Sequence, residues 1–203
     1  MAIVVEHEKR RKEILEKALA VFMDEGFENA TLQKIADRCG ITRTILYHYF
    51  RNKKEIFNYS IKLLLLKADE GIQRIRADSS LNNVEKITCV MLDILRHLEE
   101  NRQLLSVILD YLLHISKNNT DPESRVRRRT LKLRHILASM VIEGVKSGEL
   151  APVNIKTVDD FLYSFIEAAI FRLVVLKRET VGELRETVTL AVKQFAAART
   201  NKP

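Results

Sequence analysis

The residues best suited to do chemistry lie between Thr31 and Lys53. If residues 43–49 are helical, a turn of 100° per residue puts Arg43, Thr44, Tyr47 and His48 on one arc, and Ile45, Leu46 and Tyr49 on the opposite one. The first arc carries a guanidinium able to take guanine O6 and N7 together, hydroxyls for phosphate or base, and an imidazole. That set suits a helix entering the major groove of a duplex. Thr42 stands at its N-terminal edge. Thr31 and Gln33 open the preceding helix, where free backbone amides can hold a phosphate. Tyr49 closes the reading segment, and Lys53 with Lys54 flanks it, placed to hold phosphates and set register without reading sequence. Ile45 either packs inward or touches a thymine methyl.

Positioning these side chains requires two short helices meeting at a corner. Thr31 and Thr42 are N-caps whose hydroxyls accept first-turn amides, predicting helices at about 32–39 and 43–49. Gly40 turns the corner, and Ala36 four residues earlier lets the helices approach. Ile35, Cys39, Ile41, Leu46 and Tyr49 fall inward. A helix from about His7 to Glu25 precedes them, with the stripe Ile14, Leu15, Ala18, Val21 and Phe22, and Gly26 where it terminates. Asn52 and Glu55 predict a capping box opening a bridge helix from about Lys53 toward Arg76.

These residues carry a resemblance. The pattern Phe22, Gly26-Phe27, Thr31, Ile35-Ala36, Gly40, Leu46-Tyr47, Tyr49-Phe50 and Asn52-Lys53-Lys54-Glu55 resembles the N-terminal signature of the TetR (tetracycline-repressor-like) family over about residues 10–56. The block from Leu46 to Lys53 is far more specific than a generic helix-turn-helix pattern. The resemblance implies an all-helical homodimer whose three-helix DNA head is moved by a C-terminal body binding a small inducer between its helices; most such proteins repress transcription. Ile45 departs from the family pattern, which often has a small or polar residue there.

The remainder reads as helix throughout. Asn82 or Asn83 caps a helix to about Glu99, and a second runs from Arg102 to Lys117. Asp121-Pro122 starts a third, which Gly148 closes. Apparent capping boxes Thr157/Asp160 and Thr180/Glu183 predict helices over 158–177 and 181–199. The expectation is an all-α protein of about nine helices, with a helix-turn-helix DNA-binding domain over 1–54 and a ligand-binding and dimerisation domain over 55–203.

A head of this size reaches few base edges. Useful specificity therefore calls for two heads about one helical turn apart on a palindromic operator. The last two helices are the expected homodimer face, since Phe161, Leu162, Phe165, Ile166, Ala168, Ala169 and Leu173 make the first apolar almost all round. Met91, Tyr111, Met140 and Phe171 either line an adaptable pocket for a small-molecule effector or pack as core. Tyr163 and Glu167, one turn apart, either orient a ligand amine or hydroxyl or form a solvated pair. Asp110 and His114 read as a solvated stripe, and the basic run Arg125 to Arg134 as a solvated helix start.

Composition bounds these readings. The chain has 203 residues, 46% hydrophobic, with a formal net charge of +7, which favours an anionic partner without identifying it. A helical adaptor for an acidic protein is the alternative, against which the Arg43–His48 arc argues. Cys39 and Cys89 form no CxxC pair and read as reduced core thiols. No stretch reaches the roughly 18 apolar residues of a membrane span, so a cytoplasmic location is expected. No HExxH, GxSxG, P-loop or glycine-rich dinucleotide turn occurs, so no enzyme activity, catalytic residue, metal or cofactor is expected.

Overall fold

The computed structural model describes residues 2–117 and 123–197. Among them the chain forms α1 (Ala2–Asn29), α2 (Leu32–Cys39), α3 (Arg43–Tyr49), α4 (Lys53–Ala77), α5 (Asn83–Glu100), α6 (Arg102–Lys117), α7 (Glu123–Ser147), α8 (Ile155–Ile170) and α9 (Gly182–Gln194). A π-helical turn, Phe171–Val175, continues α8. The Asp121-Pro122 start signal lies outside the described residues, as do the side chains of His114 and of Arg125, Arg127, Arg128 and Arg129.

The helices pack into two compact units. Of the described residues, the first comprises 2–69 and 106–117, the second 70–105 and 123–197. The boundaries fall within α4 and within α6.

The first unit is built on the predicted stripe of α1. Ile14, Leu15, Ala18, Val21 and Phe22 are all buried, together with Ile35, Ala36, Cys39, Leu46, Phe50, Ile56, Phe57 and Ile61. Packing does not stop at the expected boundary after residue 54. Ile56, Phe57 and Ile61 of α4 and Val107 and Tyr111 of α6 complete the same core. An aromatic cluster holds it: Phe57 meets Phe22 and Phe27 at centroid distances of 4.9 Å each, and Tyr111 meets Phe27 at 4.4 Å and Phe57 at 5.0 Å. Gly26 breaks α1 as expected, with φ 75° and ψ 169°, a conformation open to glycine at little cost. Cys39 is 4% exposed, and burial raises its thiol pKa against the opposing pull of Lys17 and Arg10. A thiol reagent such as DTNB should therefore leave Cys39 unmodified in the native protein and label it at the unfolding transition. Labelling in buffer at the rate of a free thiol would contradict this packing.

In the second unit α5 packs against α7, α8 and α9. Val90, Met91 and Leu95 of α5 share the buried interior with Leu137, Met140 and Val141 of α7, Leu162 and Ile166 of α8, and Val188 and Val192 of α9. The helix starts partly depart from expectation. Asn82 caps α5 in a full capping box with Glu85. By contrast α8 begins at Ile155, earlier than the Thr157/Asp160 pair suggested, because Asn154 Oδ1 accepts the Thr157 amide at 3.1 Å. The Thr180/Glu183 box does not form either. Val181 begins α9 without a side-chain cap of its own, and its amide donates to Glu99 Oε1 of α5 at 2.6 Å. Glu99 also pairs with Arg185. The predicted run 158–177 is helix to Ile170, then π-helical, and ends with Lys177 in the left-handed region at φ 55°.

Candidate nucleic-acid interface

The corner between α2 and α3 forms as its residue types require. The Thr31 hydroxyl accepts the Lys34 amide at 3.2 Å, and the Thr42 hydroxyl accepts the Ile45 amide at 3.3 Å. Gly40 adopts φ 68°, and its amide and that of Ile41 close α2 on the carbonyls of Asp37 and Ala36. Ala36 is fully buried at the crossing. Lys34 pairs with Glu25 at 2.8 Å and Arg38 with Asp24 at 2.9 Å, tying α2 to the end of α1 through exposed ion pairs.

On α3 only Leu46 is fully buried, while Arg43, Thr44, Tyr47 and His48 are exposed together. Arg43 lies along Tyr47: its Nη2 donates to the Tyr47 hydroxyl at 3.1 Å, and its guanidinium stands 5.7 Å from the ring centroid. Both side chains thus form one outward blade. Ile45, whose orientation the sequence left open, is 42% exposed and so does not pack fully inward. Thr31, Gln33 and Thr42 are exposed at the α2 and α3 N-termini, with Gln33 Nε2 donating to Asp37 Oδ1 at 2.7 Å.

Lys53 departs from its expected place. Its Nζ donates to the carbonyls of Phe27 at 2.7 Å and Glu28 at 3.0 Å, and lies 4.6 Å from the Phe27 ring centroid. Desolvation holds its ammonium below the usual lysine pKa, with Glu28 acting the other way. Lys53 is therefore a latch on the last turn of α1, where carbonyls run out of helical partners. Lys54 is the exposed member of the pair. The Asn52/Glu55 cap also forms differently. Asn52 Oδ1 accepts the Glu55 amide, but Glu55 Oε2 takes the amide of Arg51 rather than that of Asn52.

Tyr49 is half-buried, its ring stacked on the imidazole of His7. Next to it, the Arg11 guanidinium lies over the rings of Phe50 and Tyr59. Sequence reasoning missed both contacts. Their only local signal is that His7 and Arg11 stand one turn apart on α1.

The six residues expected at an effector site are divided between the two units. Tyr111 belongs to the aromatic core of the first unit, and Met91 and Met140 are buried in the second. Tyr163 is half-buried with the Arg134 guanidinium 5.5 Å from its ring centroid, whereas Glu167 is exposed and Phe171 is 53% exposed. Arg134, expected in a solvated run, is anchored to Asp159 and Asp160. A cavity of about 550 Å³ at the α8–α9 connection is lined by Arg172, Leu176, Arg178 and Val181 and contains none of the six.

A helix-turn-helix with an exposed polar blade, set in an all-helical chain, defines a DNA-binding regulator of transcription. Residues 14–59 match the model of the bacterial regulatory proteins of the tetR family, so the helix-turn-helix segment of the chain is similar to theirs. It is 31% identical over 103 residues to the transcriptional regulator PksA of Bacillus subtilis, a match covering 51% of this chain and only half, 50%, of that relative. Similarity to the uncharacterised regulator YfiR of the same organism runs over 97% of both chains at 26% identity. Among solved structures, the regulator FadR of Bacillus subtilis in complex with stearoyl-CoA superposes with a TM-score of 0.68 at 21% identity, over 89% of this chain and 96% of that one.

Proposed function

We infer that the chain is a cytoplasmic homodimeric repressor, without catalytic chemistry of its own, that leaves a palindromic operator when a small organic effector binds. The observation that carries this reading is the joint exposure of Arg43, Thr44, Tyr47 and His48 on a helix whose single fully buried residue is Leu46. Hydrogen-bonding side chains free of the core on a two-turn helix fit a groove, and two such heads supply the specificity one lacks. In this reading the DNA-binding domain is residues 1–54, and residues 55–203 bind effector and partner.

Apolar exposure along the last helices supports the dimer. Phe161 is 40% exposed, Phe171 53%, Val175 57%, Leu176 52% and Leu190 64%. A second copy applying the same helices would cover them in a two-fold interface. For the effector, Met91, Met140 and Tyr163 stay in the proposal, since they stand on α5, α7 and α8, which pack together. The FadR complex makes long-chain acyl-CoA a first compound to try.

Selection of bound duplexes from a random pool tests the reading, repeated with acyl-CoA and other candidates to find which release the DNA. The expected result is a palindromic consensus. Binding should also weaken about a thousandfold between 50 and 200 mM salt if about six phosphates are neutralised. A flat salt response with no enriched sequence would favour the acidic-protein adaptor.

A further inference from the structure

The reading helix α3 has 7 residues, too few to be stable alone. Leu46 is its single fully buried residue and the buried Phe50 caps its end, so the setting of the last turn between them depends also on what packs against Tyr49. There the Tyr49 ring rests on the core on one side and on the His7 imidazole on the other, with centroids 4.6 Å apart and planes at 22°. One turn along α1, the Arg11 guanidinium is 5.2 Å from the Phe50 ring centroid and 4.3 Å from that of Tyr59. The first turns of α1 therefore grip the C-terminal end of α3 at two successive points. The Arg43–Tyr47 blade belongs to the same two-turn helix, and a rotation of its last turn swings Tyr47 and His48 with it.

We propose that His7 is a positioning residue for DNA reading: its ring clamps Tyr49 and so fixes the pitch at which α3 presents Arg43, Thr44, Tyr47 and His48. The proposal rests on α3 being the reading helix. His7 is exposed, so its removal opens no cavity and leaves the buried face of the head intact. What it removes is order in α3 before DNA arrives. A reader that must be ordered on binding loses specific affinity, while attraction to phosphates is unaffected.

The test compares the full chain with His7→Ala and His7→Phe, the second keeping a ring for the stack without an imidazole. Three measurements are made: amide hydrogen exchange over residues 43–49, the thermal midpoint, and affinity for a duplex recovered by selection beside a random-sequence duplex. In His7→Ala, exchange in α3 should accelerate and the selected duplex should bind about three- to tenfold more weakly per head, the size of one aromatic pair. Random-sequence binding should stay unchanged, the thermal midpoint should fall by no more than about 4 °C, and His7→Phe should restore both lost properties. Wild-type exchange and affinity in His7→Ala would overturn the proposal. So would failure of His7→Phe to rescue, or equal loss on random DNA, since either makes His7 a phosphate contact instead. If selection recovers no duplex, the regulatory reading fails, while the exchange arm still decides whether His7 holds α3.

Discussion

Arg43→Ala should abolish specific operator recognition and leave the head folded. A bidentate contact to guanine discriminates by about 1–3 kcal/mol, and a two-headed complex loses it twice, so specific affinity should fall from about 30-fold to more than ten-thousandfold. The folded state loses little in exchange. Arg43 is exposed, its guanidinium donates to the equally exposed Tyr47 hydroxyl at 3.1 Å, and surface changes of this kind stay within about 0.5 kcal/mol of wild type. Footprinting beside a thermal melt separates the two effects. Tyr47→Ala should behave alike, because it removes the other half of the same blade. Protection retained by both variants would remove α3 from the role of reader.

The largest stability effect should come from Phe57→Ala. Phe57 is fully buried and touches Phe22, Phe27 and Tyr111 at 4.9, 4.9 and 5.0 Å, so its truncation leaves three rings facing a void. Loss of a buried phenyl ring costs about 3–5 kcal/mol, a large share of the roughly 5–15 kcal/mol that holds a domain together. Denaturant unfolding followed through the first unit should show the midpoint falling at unchanged slope. A shift worth less than about 1 kcal/mol would mean that the cluster collapses around the gap and is not the keystone of the head.

Several features of the head could be read from spacing because they are local. Thr31, Gly40 and Thr42 act within four residues of themselves, and the α1 stripe from Ile14 to Phe22 repeats at helical period, so caps, corner and buried face all follow from neighbouring residues. Lys53 shows the limit. Basic and flanking the reader, it looked like a phosphate clamp, yet it bonds carbonyls 25 and 26 residues away that no pattern points to. His7 on Tyr49 and Tyr111 in the head's aromatic core are equally non-local. In the second unit Asn154 caps α8 three residues before Thr157, a local signal passed over although Asn ranks above Thr as an N-cap. The effector residues were chosen by type, and Met or aromatic side chains fill a core as readily as they line a pocket.

The borrowed start of α9 ties that helix to α5. The amide of its N-cap residue, Val181, is satisfied by a carboxylate 82 residues upstream, and the same Glu99 side chain pairs with Arg185 in the first turn of the helix. One carboxylate thus both closes the helix start and anchors its first turn, so a change at Glu99 in α5 reaches α9 without touching a residue of that helix.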